Sequence, residues 1–208
     1  MNMEIQNATR ATLPEFVRCL TEAFNDKFPH FFENIPAEKY RQVMVDVIWD
    51  TTPKKNPLPN SYLAFSQKPN KEIVAAFRLI PPWTEKESRR AGWRALRKHL
   101  SLLKSAQSGY WLQELGQRDL HDTELYIDFI GVEEAYRGKG VGTQILDYIE
   151  RLGKEKGMTE LTLLCSANNP RAKKLYEREG FYVKRKEKFW FSKWRLGIAY
   201  FDYMVKPI

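Results

Sequence analysis

The chain has 208 residues, a formal net charge of +8 and 43% apolar residues. This length suits one compact domain and is short for two, while the apolar and aromatic content excludes a disordered chain. No apolar run is long enough to span a membrane and the first residues lack the pattern of a secretory signal. We therefore expect a cytoplasmic, folded protein that does not bind membranes.

The positive charge has two interpretations, a basic patch for nucleic acid or an enzyme with a polyanionic cofactor. The basic residues are spread over several segments and no nucleic-acid-binding motif is present, so the sequence disfavours nucleic acid as the primary ligand. Cys19 and Cys165 lie far apart within apolar stretches, which predicts reduced core thiols. No spacing of cysteine and histidine predicts a metal site.

The first 80 residues are predicted to form an edge strand, two helices and a β-hairpin. Thr12 followed by Glu15 has the pattern of a capping box, which opens the first helix. The alternating apolar pattern and the turn residues 68–71 predict the hairpin. The predicted strands are residues 5–10, 62–66 and 73–80. The second helix is predicted at residues 36–49.

Residues 84–108 are predicted to be one helix. Its apolar side would carry Trp93, Leu96, Leu100 and Leu103. The other side is basic, and such a stripe is more often a solvated face than a binding face. The wider segment 83–120 delays the next strand as a helical insertion would, at the place where a lid over an acceptor would be expected.

From residue 124 the order is strand, helix, strand, helix and strand, with a last strand predicted at residues 199–205. Consecutive strand–helix units predict parallel neighbouring strands covered by helices, whereas the early hairpin predicts an antiparallel part. The predicted fold class is therefore α/β, with a mixed, twisted sheet in a single domain.

Residues 137–142 read Arg-Gly-Lys-Gly-Val-Gly and lie between an apolar strand and a helix-like segment. Glycines let the backbone approach a ligand closely, and free amides at a helix start favour an anion. On its own this pattern also fits a plain strand-to-helix turn. The spacing fits neither the mononucleotide P-loop nor the dinucleotide fingerprint.

The following segment carries Asn169, Ala172, Leu175, Tyr176 and the pair Gly180-Phe181. With the strand that ends in Val132 and the glycine loop, these residues closely resemble the GNAT superfamily of acyl-CoA-dependent N-acyltransferases. The resemblance is specific over about residues 124–190, and it implies that residues 1–208 form a single N-acetyltransferase domain with the GNAT-like mixed sheet.

The resemblance implies transfer of an acetyl group from acetyl-CoA to a primary amine of a small molecule, peptide or protein, by direct attack in a ternary complex. A different class stays open, a catalytically silent module that binds acyl-CoA as a sensor or scaffold. Dimers are common among similar proteins, which leaves a homodimer open. Aromatic side chains could line a site for a hydrophobic or cationic amine, with core packing as the alternative: Phe24, Phe28, Trp83, Trp111 and Trp190.

Several residues are candidates for binding the cofactor. The loop amides of Gly138, Lys139, Gly140, Val141, Gly142 and Thr143 would hold its phosphates, helped by the side chains of Arg137 and Lys139. The resemblance implies that backbone groups of Ile130 and Val132 pair with the pantetheine arm. Gly131 would allow a local strand distortion there, or would serve close packing. Asn169 matches the family asparagine that bonds the arm, and it could also cap the next helix.

Two residues are candidates for catalysis. Tyr176 matches the family tyrosine that serves as general acid toward the leaving thiolate, although its spacing also fits a core aromatic. Asp128 is the candidate general base, because a strand period of two places it on the face of Ile130 and Val132. A purely structural hydrogen bond is its alternative, and Leu164 occupies the place where some family members carry a glutamate. Many relatives use a water relay instead of a dedicated base.

Overall fold

The computed structural model describes residues 3–52, 57–67, 71–82, 89–116, 120–189, 193 and 196–208. For residues 89 and 111–116 the description covers the backbone alone. Several predicted features therefore lie outside the described part. They are most of the turn at residues 68–71, the first residues of the predicted helix 84–108, and the side chains of Trp83, Trp111 and Trp190.

Within the described part, seven strands form one sheet in the order β1-β2-β3-β4-β5-β7-β6. The strands are β1 (Met3–Asn7), β2 (Ser61–Ser66), β3 (Ile73–Ile80), β4 (Glu124–Val132), β5 (Glu160–Ser166), β6 (Tyr182–Glu187) and β7 (Phe201–Pro207). Strands β4 and β5 are parallel, and the other neighbouring pairs are antiparallel. The mixed sheet is confirmed, but it holds one parallel pair, because β7 lies between β5 and β6.

Helices cover both faces of the sheet. They are α1 (Leu13–Ala23), α2 (Phe28–Phe31), α3 (Ala37–Thr51), α4 (Arg89–His99), α5 (Leu102–Gly116), α6 (Val141–Glu155) and α7 (Pro170–Arg178), with a short 3₁₀ turn at Glu134–Tyr136. On one face the core includes Phe16, Phe32 and Phe129, and on the other it includes Phe77, Ile145 and Leu163. None of the helices described is long and apolar enough to cross a membrane.

The first strand and the first helix cap differ from the prediction. Strand β1 ends at Asn7 rather than residue 10, because the chain turns where the Thr9 amide donates to Thr12 Oγ1 over 2.9 Å. Thr12 precedes α1 but its side chain makes no capping hydrogen bond. The predicted capping box with Glu15 is therefore wrong, since the turn uses the hydroxyl instead.

The predicted helix 84–108 is two helices, α4 and α5. Helix α4 ends at His99. A new turn begins at Ser101, whose backbone carbonyl accepts a hydrogen bond from the Ser105 amide over 2.9 Å. Leu96 and Leu100 are buried as predicted. Trp93 and Leu103, placed on the same apolar side by a continuous period, are 40% and 82% exposed. Leu103 lies beyond the break, where the period of α4 no longer applies.

The two cysteines fulfil the sequence prediction. Cys19 in α1 and Cys165 in β5 are both buried and both free. The Cys19 thiol donates to Glu133 Oε1 over 2.9 Å, and Arg18 holds the same carboxylate at 2.9 Å. These contacts attach α1 to the end of β4, immediately before the glycine loop.

Candidate active site

A gap opens between the two parallel strands at the centre of the sheet. Their ladder runs from Glu124 paired with Glu160 to Ile127 paired with Leu163. Beyond those positions the two described strands diverge, although β5 stays paired with β7 as far as Ser166. The last five residues of β4 therefore have one backbone edge that is not paired with β5.

The edge that faces the gap carries the backbone groups of Ile130 and Val132. The Glu133 amide donates to the Val74 carbonyl of β3 over 3.0 Å. Because backbone groups alternate between the two edges of a strand, those of Val132 and Ile130 point away from β3. This is the orientation that the sequence prediction requires for pairing with an extended ligand.

An irregularity in β4 lies at Asp128. Phe129 pairs with Arg78 and Ile127 with the next residue, Leu79, so Asp128 is an extra residue in the ladder. Ile127 and Ile130 consequently pack toward the same face although they are three residues apart. The bulge interrupts the period of two from which a shared face of Asp128 with Ile130 and Val132 was predicted, so that shared face stays a prediction. Asp128 is half-buried at the start of the gap.

Gly131 lies in regular pairing with Ala76, so the strand distortion predicted for it is found at Asp128 instead. A Cβ at Gly131 would lie 3.0 Å from the Cys19 carbonyl oxygen and 3.1 Å from the Ala23 Cβ. Close packing against α1, the alternative considered from the sequence, is thus the structural role of this glycine. It brings α1 onto the strand that borders the gap.

The glycine loop forms an exposed cradle at the end of β4. Gly138 and Gly140 have φ angles of 77° and 79°, a left-handed conformation that favours glycine. The first amide bonded within α6 is that of Gln144, which donates to Gly140. The amides of Val141, Gly142 and Thr143 therefore point out of the helix end, where its dipole favours an anion.

The side chains around the cradle differ in the contacts that they already make. Arg137 Nε donates to the Val132 carbonyl over 2.9 Å, and the Lys139 ammonium lies 5.4 Å from the centre of the Tyr136 ring. Thr143 Oγ1 donates to Glu179 Oε1 over 2.8 Å. Thr143 can thus offer an anion its amide, while its hydroxyl joins α6 to the end of α7.

Sequence reasoning missed Arg171, which α7 places beside the cradle. Its Nη2 lies 3.7 Å from the position that a Cβ of Gly138 would occupy. Gly142 of α6 faces Leu175 of α7, and a Cβ on Gly142 would lie 2.8 Å from Leu175 Cδ2. The glycine therefore lets the two helices pack closely. The close contact of the two helices explains how a residue 33 positions after Gly138 reaches it, which no local motif indicates.

Asn169 caps α7. Its Oδ1 accepts the Ala172 amide over 3.0 Å, whereas Asn168 donates its side chain to the Gly197 carbonyl. The capping role weighed from the sequence is therefore present, and it uses only the oxygen of the amide. The exposed Nδ2 stays on the outside of the helix start as a donor.

Tyr176 projects from α7 among Cys165, Tyr126 and Phe181. Its ring lies 5.7 Å from the Phe181 ring, and it packs on the core beneath α7. Burial, followed by the nearby Cys165 and Tyr126, raises the pKa of Tyr176 above that of an ordinary tyrosine. A phenol with a raised pKa remains protonated at neutral pH and can donate a proton.

An ion pair fixes α7 to the sheet close to Tyr176. Lys173 Nζ lies 2.7 Å from Asp202 Oδ2, and the Asp202 side chain is almost completely buried in β7. Among the residues that the structure describes, none donates a hydrogen bond to Asp202 Oδ1. The pair holds the helix that carries both Asn169 and Tyr176 at a set position over β5 and β7.

The model of the GNAT acetyltransferase family matches residues 20–181, which is most of the chain. The chain belongs to the GNAT acetyltransferase family. The match includes the bulged strand β4, the cradle and α7, so the GNAT elements are the ones that surround the gap.

Individual relatives agree with this membership. The uncharacterized N-acetyltransferase YycN of Bacillus subtilis (strain 168) is 35% identical over 71 residues, which are 34% of this chain and 46% of that protein. The chain therefore matches less than half of that relative's length.

Two solved structures share the fold. A crystal structure of an acetyltransferase superimposes with a TM-score of 0.65 at 20% identity, covering 99% of both chains. An N-acetyltransferase from Staphylococcus aureus Mu50 also has a TM-score of 0.65, at 17% identity, covering 99% of this chain and all of that one. At these identities the two structures support the GNAT fold alone.

Proposed function

We propose that this GNAT protein transfers the acetyl group of acetyl-CoA to a primary amine by direct attack in a ternary complex. The observation that carries the proposal is that the β4 edge left unpaired by β5 is followed along the chain by the anion cradle at the start of α6. An elongated molecule with an amide-bearing arm and a pyrophosphate has the shape and charge to bind such an edge and such a cradle.

The donor would be held along its length by separate groups. The amides of Val141, Gly142 and Thr143 would bind the pyrophosphate, with the side chains of Lys139 and Arg171 adding positive charge. Backbone groups of Ile130 and Val132 would pair with the arm as an added strand would. Because the Val132 carbonyl already accepts from Arg137, an arm amide would share that oxygen or displace the guanidinium.

In the proposed reaction the amine nitrogen attacks the thioester carbonyl carbon, a C–N bond forms and the C–S bond breaks. The sulfur takes a proton from the Tyr176 hydroxyl, and the nitrogen loses a proton to Asp128 or to a water relay. The Tyr176 hydroxyl is available for this part because, like any tyrosine, it keeps its proton at neutral pH. Asp128 lies at the start of the gap, where the bulge moves it out of the regular ladder.

Calorimetric titration with acetyl-CoA, followed by thiol release over a panel of amines, tests this function. We expect binding, and release of one thiol for each amine acetylated. A Lys156→Ala variant, changed at the exposed end of α6, is a suitable control because it should match the wild type. Binding without turnover on any amine would favour the sensor, and no binding would exclude both the enzyme and the sensor.

A further inference from the structure

Lys27 is a buried lysine in the turn between α1 and α2. The residue is 8% exposed, and lysine is seldom buried to this degree without a partner. Its ammonium lies 3.2 Å and 3.3 Å from the two oxygens of Asp26, and 4.6 Å from the centre of the Phe24 ring. The Asp26 side chain is itself 45% exposed, so its carboxylate is well hydrated and can move away.

The Lys27 ammonium lies near both strands that border the gap. On the β4 side, the Phe24 ring beneath it packs edge-on against Phe129, the residue after Asp128, with ring centres 6.1 Å apart. On the β5 side, burial raises the pKa of Cys165 to about 11, and the positive charges of Lys173 and Lys27 oppose that rise. The Lys27 ammonium therefore lies on the side of β4 where Phe129 borders the gap, with the Phe24 ring between it and the strand.

A fixed cation at this place selects among amines. It would repel a second positive charge and attract an anionic group of the acceptor, and a partly dehydrated charge pair is stronger than one in water. Asp26 is the group that an incoming carboxylate would replace. Its side chain is exposed, and it pairs with the Lys27 ammonium as the preceding residue in the chain.

We propose that Lys27 binds a carboxylate of the acceptor, so that the acceptor is an amino acid or another amine that carries an acidic group. This inference rests on the proposed function and adds its substrate class. It differs from the hydrophobic or cationic amine that the aromatic residues had indicated. Phe24 packs on the core and under the ammonium, and Phe28 is buried among Phe31, Phe32 and Tyr40.

The test uses pairs of amines that differ only in a carboxylate, such as an amino acid and its amide or its decarboxylated amine. Initial rates with the full chain and saturating acetyl-CoA give kcat/KM for each member. We expect the wild type to favour the acid by about ten- to hundred-fold, the range of a hydrogen bond to a charged group. Lys27→Met should remove most of this preference through KM, and Lys27→Arg should keep it.

Two further measurements separate a binding role from a structural one. Lys27→Glu should reverse the preference toward diamines, which lost packing alone would not do. Calorimetric titration of the N-acetylated acid and of its amide into the CoA-loaded protein reports the carboxylate contact without turnover. The exposed Lys156→Met variant and the calorimetric affinity for acetyl-CoA serve as controls.

The inference is overturned if the wild type treats acid and amide alike in both rate and binding, or if Lys27→Met keeps the preference. Those results leave acetyl-CoA binding and thiol release intact, so they are distinct from a failure of the proposed function. Absence of acetyl-CoA binding in the wild type would overturn the enzyme and this inference together.

Discussion

The Cys19 carbonyl oxygen of α1 lies 3.0 Å from the position that a Cβ of Gly131 would take in β4. The carbonyl oxygen is a backbone atom, and a Cβ is bonded directly to the backbone. Neither could rotate away as the end of a side chain could. The contact sets the distance between α1 and the strand that borders the gap. It also brings Glu133 within reach of Arg18 and the Cys19 thiol.

Replacing Gly131 by alanine should push α1 away from β4. We expect the free energy of unfolding to fall by about 1–3 kcal/mol, the usual cost of overpacking, as measured by urea denaturation. Gly109→Ala in helix α5 is a control, because among the described residues a Cβ there would meet the flexible end of a side chain, Leu96 Cδ1 of α4, at 3.2 Å. Equal denaturation midpoints for Gly131→Ala and the wild type would contradict the close-packing role.

The order of strands and helices after residue 124 could be predicted, because β4, β5 and α6 have clear apolar patterns and Gly180 follows the end of α7. The cradle was also predictable, since Gly138 and Gly140 adopt the conformation for which glycine is needed. A period of two could not reveal the extra residue at Asp128, because a bulge depends on the partner strand. Arg171 and Lys27 reach the site through tertiary packing, which leaves no local pattern in the sequence.

Tyr176→Phe should lower kcat by about 10²–10⁴, the usual contribution of a positioned acid, while the affinity for acetyl-CoA stays unchanged. Because the pKa of Tyr176 is raised, the wild type should show no alkaline loss of kcat from this group below about pH 10. Steady-state rates across pH and calorimetry check both points. A variant with wild-type kcat would mean that another group protonates the thiolate.

Arg171→Ala should raise KM for acetyl-CoA by about ten-fold or more while leaving kcat nearly unchanged, because it removes a charged hydrogen-bond donor from the cradle. The difference from the wild type should shrink as salt rises and screens the exposed charge. Lys156→Ala at the far end of α6 is the control for charge alone. The same KM in Arg171→Ala and the control would place Arg171 outside the cofactor site.

Glu133 should make the stability of the protein depend on pH. Burial would raise the pKa of Glu133, but the hydrogen bonds from Arg18 and Cys19 outweigh it and hold the pKa below its ordinary value of 4.5. The carboxylate therefore stabilises the fold above about pH 4.5, and this contribution is lost as the pH falls through the lowered pKa.

Urea denaturation of Glu133→Gln at several pH values tests this linkage. The variant should be less stable than the wild type at pH 7, and the difference in the free energy of unfolding should narrow as the pH falls through the lowered pKa of Glu133. Glu134→Gln, an exposed neighbour, should show no such pattern. A difference that stays constant with pH would indicate that the charge of Glu133 has no part in it.

Hydrogen–deuterium exchange of the full chain with and without CoA tests the central claim, that the donor lies in the gap between β4 and β5 and on the cradle. Saturating CoA should slow exchange at the amides of residues 130–143, including Ile130, Val132 and the start of α6. Exchange in β1 at the far edge of the sheet should not change. Unchanged exchange over residues 130–143 at a CoA concentration that saturates binding would contradict the account.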